Sequence, residues 1–421
     1  MIQSENPITR FWYLAIGLLL AILVGITWAN YRFAAENPGG NDFLVHWVGT
    51  RSLLVDGVSP YSDEVALEIQ ERAYGRPARR GEHELRPAYP LYSTILFLPF
   101  AFTSNFTLAR ALWMTTLESG LVLLAFFSLR VTRWKPGTWF LVVYFLFTML
   151  WYHSVRAVVN GNAVILVALF VVGSLEALRT GRDELAGVLL ALATIKPHLV
   201  VVIGLFLLIW TLSQRRWRML FWFLVVVVLL SVAMALFIPD WPLQNLREIL
   251  RYSSYNPPGT PAAVLATWLP ATGRQIGWAM SVLIGLILIL EWMAARRKEF
   301  RWFLWTACLT LTASPWIGIQ TDPGNFVMLF TPIVLVFAVL EERLTRRGRV
   351  LNGFLMAVLL VGPWVIFFQT VETIFGQPQQ HPGLLFPLPL LLLITLYWIR
   401  WWAIRPQRLL VETLRDYEEL V

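Results

Sequence analysis

Residues 11–30, FWYLAIGLLLAILVGITWAN, carry no charged side chain. Twenty helical residues extend about 30 Å, which matches the thickness of the hydrocarbon core of a bilayer. No small-residue cleavage site follows this segment, so we expect a retained anchor rather than a signal peptide. Residues 31–88 are polar and rich in charge, and a further series of apolar segments follows them. The pattern predicts a chain that crosses a membrane many times.

The composition supports a membrane protein. Of the 421 residues, 57% are hydrophobic and 14% are charged, whereas about 25% of the residues in soluble domains are charged. The 21 Trp and 27 Phe are typical of side chains that anchor at membrane interfaces. The net charge of +8 does not indicate nucleic-acid binding, because the arginine clusters lie between apolar segments, where they set topology and contact anionic lipids. Cys308 is the only cysteine, so a disulfide within the chain is excluded.

Hydrophobic segments of helical length predict an all-α polytopic membrane protein with about twelve transmembrane helices. We place these helices at residues 11–30, 107–129, 138–152, 162–178, 184–196, 197–212, 218–238, 271–293, 302–316, 325–341, 350–369 and 384–402.

Short loops rich in Lys and Arg are expected in the cytoplasm. They are the loops at 130–135, 179–182, 214–218, 296–301 and 343–349, and the tail with Arg400, Arg405 and Arg408. The loops poor in positive charge, expected outside, are 151–161, 239–270, 314–325 and 370–383. The first loop, at 31–106, is long enough to translocate whatever its charge. Both termini are then cytoplasmic, and we expect the protein in the cell (plasma) membrane.

The interval 184–212 must cross the membrane an even number of times, because both of its ends are cytoplasmic. It therefore forms two short helices or one re-entrant hairpin, with a break at Pro197. Lys196 is placed at the outer end of this hairpin, on the same side as Asp42. A lysine buried between apolar helices is costly unless it meets an anion, so anion binding is one interpretation. The other is a lysine that snorkels to the interface.

The first loop is expected to be a small folded cap. Apolar residues between Asp42 and Asp56 predict an amphipathic helix on the membrane, which ends at Gly57. A second, polar helix is expected at about 62–74. The stretch 89–103 is apolar but too short to span, so we interpret it as an interfacial or re-entrant helix. Asp42, just outside the first span, is either a chemically active carboxylate at the membrane surface or a helix cap.

Several motifs in the first half of the chain resemble those of glycosyltransferase family 87. They are NDFLVHW (41–47), LLVDGVSPY (53–61), RPAYPL (86–91), LPF (98–100), NGN (160–162) and GRDELAGVLLALATIKP (181–197). The resemblance implies a GT-C fold, a transmembrane helical bundle that transfers a sugar from a polyprenyl-phosphate donor on the extracytoplasmic side. The best-known members are α-mannosyltransferases. It also implies that Asp42, after the first span, is the general base.

Under this interpretation, residues 1–220 form the catalytic module and residues 221–421 a variable set of transmembrane helices with the external loop 239–270. The chain departs from the family pattern at His46, where Tyr is usual, and at Asn160, where Gln is common. The segment 314–322, SPWIGIQTD, lacks the paired histidines of many members. These departures leave the sugar and the acceptor open.

A phosphomonoester leaving group needs positive charge and hydrogen-bond donors rather than a general acid. The candidates for binding the donor phosphate are Lys196 and Arg86, followed by Arg156 and His198. For Arg86 and Arg156, contact with lipid headgroups is an equal alternative.

Five further residues are candidates for binding the sugar or the acceptor: His46, Asn160, Asn162, Asp322 and Gln320. The simpler alternatives are a helix cap for Asn162, a Thr-Asp-Pro turn for Asp322 and a surface histidine for His46. The aromatic and proline residues of loop 239–270 either cover the acceptor site or form an interfacial belt. They are Trp241, Tyr252, Tyr255, Pro257 and Pro258.

No metal-ligand spacing and no nucleotide-binding loop is visible, so we expect a metal-independent reaction without a cofactor. The expected partners are the prenyl-phosphate sugar, a lipid or glycan acceptor and membrane lipids, but no nucleic acid. Two other classes compete. A lipid-linked oligosaccharide ligase or polymerase carries its main external loop late in the chain. A transporter or flippase of a lipid-linked or anionic substrate predicts a repeat of the Lys-Pro hairpin in the second half, and none is clear.

Overall fold

The computed structural model of the protein describes residues 7–255, 259–374, 377–379 and 381–406. The described chain is helical apart from one antiparallel hairpin of two short strands, β1 (Glu372–Ile374) and β2 (Gln377–Gln379). The prediction of an all-α protein is confirmed. The proposed domain boundary at residue 220 stays a prediction.

Nine helices lie before the Lys-Pro sequence. They are α1 (Pro7–Glu36), α2 (Asn41–Arg51), α3 (Asp63–Tyr74), α4 (Thr94–Ala101), α5 (Phe106–Thr132), α6 (Thr138–Leu150), α7 (Tyr152–Asn160), α8 (Val164–Arg179) and α9 (Asp183–Ala193).

Nine more helices follow within the described residues. They are α10 (Pro197–Ser213), α11 (Trp217–Ala235), α12 (Trp241–Tyr255), α13 (Pro261–Trp268), α14 (Gly273–Ala295), α15 (Phe300–Ala313), α16 (Phe330–Thr370), α17 (Pro387–Trp398) and α18 (Arg400–Ile404).

Within these ranges, five helices are long and apolar enough to cross a membrane, or six if the pair α6 and α7, bent by 46°, is one span. They are Phe11–Glu36, Phe106–Thr132, Trp217–Ala235, Gly273–Ala295 and Pro323–Thr370. The predicted number of twelve is therefore not confirmed. The reason is length: α9 and α17 have 11 and 12 residues and extend only about 16–18 Å.

The long helix α16 contains a reversal. Thr345 has φ 49° and ψ −116°, which interrupts the helix. Three residues later, a Cβ on Gly348 would collide with the carbonyl oxygen of Leu340. The side-chain amide of Asn352 donates to the carbonyl of Phe337 at 2.9 Å. The chain thus folds back on itself in the predicted arginine-rich loop, between the two segments expected at 325–341 and 350–369.

The centre of the bundle is formed by α8, which is largely buried and whose residues 164–173 are all apolar. A helix without a polar face is stable only when neighbours cover every side. It packs against α5 and α9, and a Cβ on Gly120 of α5 would lie 3.1 Å from Ile165. On the far side, a Cβ on Gly187 of α9 would collide with the backbone of α11. Glycines therefore allow these helices to approach closely.

The first loop folds as a cap, and protein covers the apolar residues of its first helix. In α2, Phe43, Trp47 and Val48 are at most 2% exposed. The Phe43 ring stacks on Trp113 of α5 with 5.5 Å between centroids, so the apolar residues face protein rather than lipid. The helix continues as one π-helical turn, Ser52–Asp56, and Gly57 ends it at φ 66°. The second predicted helix is confirmed as α3.

The apolar stretch 89–103 contains one 3₁₀ turn, Leu91–Ser93, and the eight-residue helix α4. Eight residues extend about 12 Å, which is too short to span a bilayer. The interval 184–212 is likewise two short helices, α9 and α10, with Lys196 at the break between them.

Candidate functional site

The start of α2 is bound to the end of α7. Arg110 of α5 donates to the carbonyl of Asn37 at 2.6 Å and to the carbonyl of Val159 at 3.1 Å. A Cβ on Gly40 would collide with this guanidinium, and Gly40 has φ 78°. Only glycine adopts such a conformation without strain. Arg110 therefore holds the chain before Asp42 against the last turn of α7.

A second glycine completes this contact. Gly161 ends α7 at φ 73°, and a Cβ there would collide with Phe43. The indole nitrogen of Trp113 donates to the Gly161 carbonyl at 2.9 Å. The two backbones consequently touch, which places the Asp42 carboxylate within hydrogen-bond distance of the Asn160 side chain.

Lys196 points its ammonium group into the same region. The side chain is 4% exposed, and Nζ donates to Asn162 Oδ1 and to Asn325 Oδ1, both at 2.8 Å. Nζ also lies 5.4 Å from the centroid of the Tyr89 ring. No described carboxylate forms an ion pair with this lysine. An ammonium has three donors, and two of them bind neutral acceptors. The Asp42 and Asp322 carboxylates act on the charge electrostatically from beyond ion-pair distance.

The Asp42 carboxyl is half-buried and has an altered acidity. Its recessed position among protein atoms raises the pKa above the ordinary value of 3.8, and the negative charge of Asp322 raises it further. Lys196, Arg156 and the hydrogen bond from Asn160 act in the opposite direction. Burial is the largest effect because it removes water from the charged form. A carboxylate with a raised pKa is a stronger proton acceptor than an exposed one.

Arg156 and Asp322 form one wall of this region. Arg156 Nη2 lies 3.4 Å from Asp322 Oδ2. Asp322 Oδ1 also accepts from the Gly324 amide at 2.6 Å and so begins the 3₁₀ helix Pro323–Leu329. The turn interpretation of Asp322 is thus confirmed, and it coexists with the contact to Arg156.

His46 is partly buried. Its ring lies 4.1 Å from the ring of Tyr89 and stacks on Phe97 at 4.6 Å. Burial and the nearby Lys196 charge lower the His46 pKa to about 3, so the imidazole is neutral at physiological pH. Aromatic rings of the first loop thus cover His46 in part.

His198 and Gln320 line a narrow recess with a cavity volume of about 20 Å³. Asn325 belongs to the same lining, and it is also a hydrogen-bond partner of Lys196. The recess therefore adjoins the ammonium group. The capping role of Asn162 is found as well, since its Oδ1 accepts from the Val164 amide at 2.9 Å.

The structure does not bring Arg86 to this group. Its guanidinium is bound by three carboxylates: Asp63, Glu84 at 3.0 Å and Glu248 at 3.4 Å. Glu248 is 3% exposed and lies on α12. Arg86 therefore joins the first loop to α12, and its charge is already balanced.

We expect Arg86→Met to destabilise the protein by about 3 kcal/mol, because it leaves the buried Glu248 carboxylate without its cation. The melting temperature of the purified protein measures this effect. Arg80→Met, at an exposed position of the same loop, is the matched control and should change the melting temperature little. Equal melting temperatures for both variants would contradict the structural role of Arg86.

Sequence reasoning missed three residues of the site: Tyr89, His153 and Asn325. His153 Nδ1 lies 2.6 Å from the Pro323 carbonyl and attaches the 314–325 loop to α7. The available signals were a lone asparagine within the apolar run 323–330 and a tyrosine inside the RPAYPL motif. Neither signal identifies Lys196 as the residue that Asn325 and Tyr89 contact, because Lys196 is distant from both in sequence.

The aromatic residues of α12 pack on the first loop. Tyr252 and Tyr255 contact the His83 ring at 5.8 and 5.0 Å. The side-chain amide of Asn245 donates to the carbonyls of Ala88 and Tyr89 at 3.1 and 3.0 Å. Helix α12 thereby helps to hold Tyr89 beside Lys196. Pro257 and Pro258 lie outside the described residues, as does Arg408 of the tail.

Comparison with known proteins gives one match. The model of glycosyltransferase family 87 matches residues 88–315, which include Arg156, Asn160 and Lys196. The match does not reach Asp42, so the role of that residue depends on the geometry above. No curated protein and no solved structure matches the chain. The family match covers more than half of a chain that carries several membrane-spanning helices. The protein therefore belongs to glycosyltransferase family 87 and is a membrane glycosyltransferase, which takes a sugar from a donor and transfers it to an acceptor.

Proposed function

We propose that the protein transfers a hexose, mannose according to the family resemblance, from a polyprenyl-phosphate sugar to an extracytoplasmic glycolipid or glycan. The observation that carries this proposal is the buried Lys196 ammonium, which forms no ion pair with a described carboxylate and lies near enough to Asp42 to interact with it electrostatically. A buried cation without a partner is costly, and an anionic substrate removes that cost. The membrane setting suits a donor with a prenyl chain. The proposal places both termini in the cytoplasm and the site on the outer face of the plasma membrane.

In the proposed reaction, the acceptor hydroxyl oxygen attacks the anomeric carbon of the donor sugar, and Asp42 takes the hydroxyl proton. The bond between the anomeric carbon and the phosphate oxygen breaks, and its electron pair leaves with the prenyl phosphate. Lys196 and Arg156 stabilise the charge on that phosphate. This assignment needs no metal ion, and the prediction of metal-independent transfer is kept as part of the proposal.

The contacts of the remaining candidate residues indicate different roles for them. Asn162 Oδ1 binds both Lys196 Nζ and the Val164 amide, so we assign Asn162 to orienting the lysine rather than to the sugar. Asn160 contacts Asp42 and is assigned to orienting the base. Gln320 and His198, in the recess next to Lys196, remain for substrate hydroxyls, together with Asp322 and His46. We leave Arg86 out of the phosphate-binding group because three carboxylates already bind it.

The donor class is tested with membranes from cells that express the protein, given radiolabelled mannose either as polyprenyl-phosphate mannose or as a nucleotide sugar. Prenyl-phosphate synthases are removed from the host so that the two donors do not interconvert. We expect incorporation from the prenyl donor alone. Transfer from the nucleotide sugar would refute the donor assignment, and no transfer from any prenyl-phosphate sugar would favour the transporter alternative.

The pH dependence of transfer tests the raised pKa of Asp42. A general base works in its deprotonated form, so kcat/KM must fall as the pH is lowered through the pKa of that base. Because burial raises this pKa, we expect the midpoint of the acid limb above 3.8. His46, with a pKa of about 3, does not titrate between pH 4 and 8. A rate that stays constant down to pH 4, or rises on acidification, would contradict the proposal.

A further inference from the structure

A lateral groove lies between α5, α8 and α9, away from the residues of the site. Its cavity volume is about 350 Å³, which is at the lower end of the usual size of small-molecule sites. Its walls are apolar, with Phe127 from α5 and Leu189 from α9, and Gly173 and Ala177 of α8 belong to the same lining. A Cβ on Gly173 would lie 3.1 Å from Leu189 Cδ1. The small residues of α8 therefore form the floor of the groove and let Leu189 pack closely against it.

One end of this groove is basic. Arg130 and Arg182 line it together with Thr180 and Glu176. The Glu176 carboxylate is 5% exposed and accepts from Arg130 at 3.0 Å and from Arg179 at 2.7 Å. Arg182 pairs with no described acid. Two guanidinium groups therefore contact one carboxylate, and Arg182 adds a third positive charge nearby. The mouth of the groove keeps a net positive charge.

The basic mouth lies far from the proposed reaction. Helix α8 begins at Val164, next to Asn162 and Lys196, and ends at Arg179. Its 16 residues extend about 24 Å. The groove mouth is thus at the opposite end of the bundle from Asp42, where the charge pattern of the loops predicts the cytoplasmic side.

We propose that this groove binds an anionic glycerophospholipid. One acyl chain lies between Phe127 and Leu189, and the phosphodiester lies between Arg182 and Arg130. Two observations favour this occupant over a zwitterionic lipid or a second copy of the chain. The walls are apolar along the groove, whereas positive charge is confined to its mouth. Guanidinium groups bind phosphate oxygens in pairs, and the net charge of the mouth is complementary to a phosphodiester.

The test is native mass spectrometry of the purified full-length protein in detergent, with phosphatidylglycerol or phosphatidylcholine as the added lipid. We expect the wild type to retain phosphatidylglycerol at lower lipid concentration than phosphatidylcholine. Arg182→Gln should weaken phosphatidylglycerol binding about fivefold, the effect of one basic side chain at an anionic lipid. Arg182→Lys should restore most of the binding. A phosphatidylglycerol with six-carbon chains should bind more weakly than the long-chain lipid if the apolar walls contribute.

Arg296→Gln is the matched control, because Arg296 is an exposed arginine in a loop expected on the same side and does not line the groove. It should leave lipid retention unchanged. Equal binding of the two lipids, equal effects of Arg182→Gln and Arg296→Gln, or a dimer in place of lipid adducts would each overturn the proposal. The experiment measures lipid binding and not transfer activity. A negative result would therefore contradict the lipid site without contradicting the proposed function.

Discussion

Asp42→Asn is expected to lower kcat about a thousandfold, because a positioned general base contributes roughly 10²–10⁴-fold to such a reaction. Asparagine has nearly the same shape and caps a helix as well as aspartate does. The substitution therefore removes the proton acceptor without removing a cap, because the N-cap position of α2 is Gly40 and no side chain caps that helix. Transfer of labelled sugar from the prenyl-phosphate donor measures kcat, and the melting temperature of the variant should stay close to that of the wild type.

The control for this prediction is Asp56→Asn, which makes the same chemical change at an exposed carboxylate on the same segment. It should leave both transfer and stability unchanged. If Asp42→Asn transfers sugar at the wild-type rate, Asp42 is a structural residue and the base must be sought elsewhere. If Asp42→Asn loses activity and stability together, the Asp42 carboxylate itself stabilises the fold, because asparagine would have preserved a capping role.

Lys196→Met is expected to reduce kcat by about 10²–10³-fold, the effect of removing one preorganised group that stabilises developing negative charge. The donor should also bind more weakly, because the phosphate loses its cation in the ground state as well. Lys135→Met, at an exposed lysine, is the matched control and should have the activity of the wild type. Binding of prenyl phosphate and the rate of transfer are measured separately for each variant.

Lys196→Met also leaves the Oδ1 atoms of Asn162 and Asn325 without their donor, so a loss of activity alone does not separate charge from packing. The substitution Asn325→Asp tests the effect of the Lys196 charge without removing the lysine side chain. It keeps the shape of the side chain and places a carboxylate where Oδ1 now lies 2.8 Å from Lys196 Nζ. We expect a folded protein with at least tenfold weaker donor binding, since the ammonium gains an internal counterion. Unchanged donor binding in Asn325→Asp would show that the Lys196 charge does not bind the phosphate.

The sequence by itself determined the properties that depend on neighbouring residues. Apolar runs of helical length predicted the helical class, and Gly57 and Pro197 predicted where helices end and begin. The same local chemistry singled out Asp42 and Lys196, because a carboxylate beside a span and a lysine inside an apolar hairpin are both costly without a partner. The motifs carried the family resemblance, which the family model confirms over residues 88–315.

Only the tertiary structure decided which of these residues meet. Four segments converge at one end of the bundle and bring together Asp42, Asn160, Lys196 and Asn325. Arg86 also carries a positive charge and also lies in a motif that resembles the family, but it is bound by Glu248 of α12. The sequence also did not reveal that α2 is buried by protein. Apolar residues at helical spacing show that one face of a helix is covered, but not whether protein or lipid covers it. The local sequence pattern predicts whether a residue needs a polar or an apolar environment. Contacts between segments that are distant in sequence determine which residue becomes its partner.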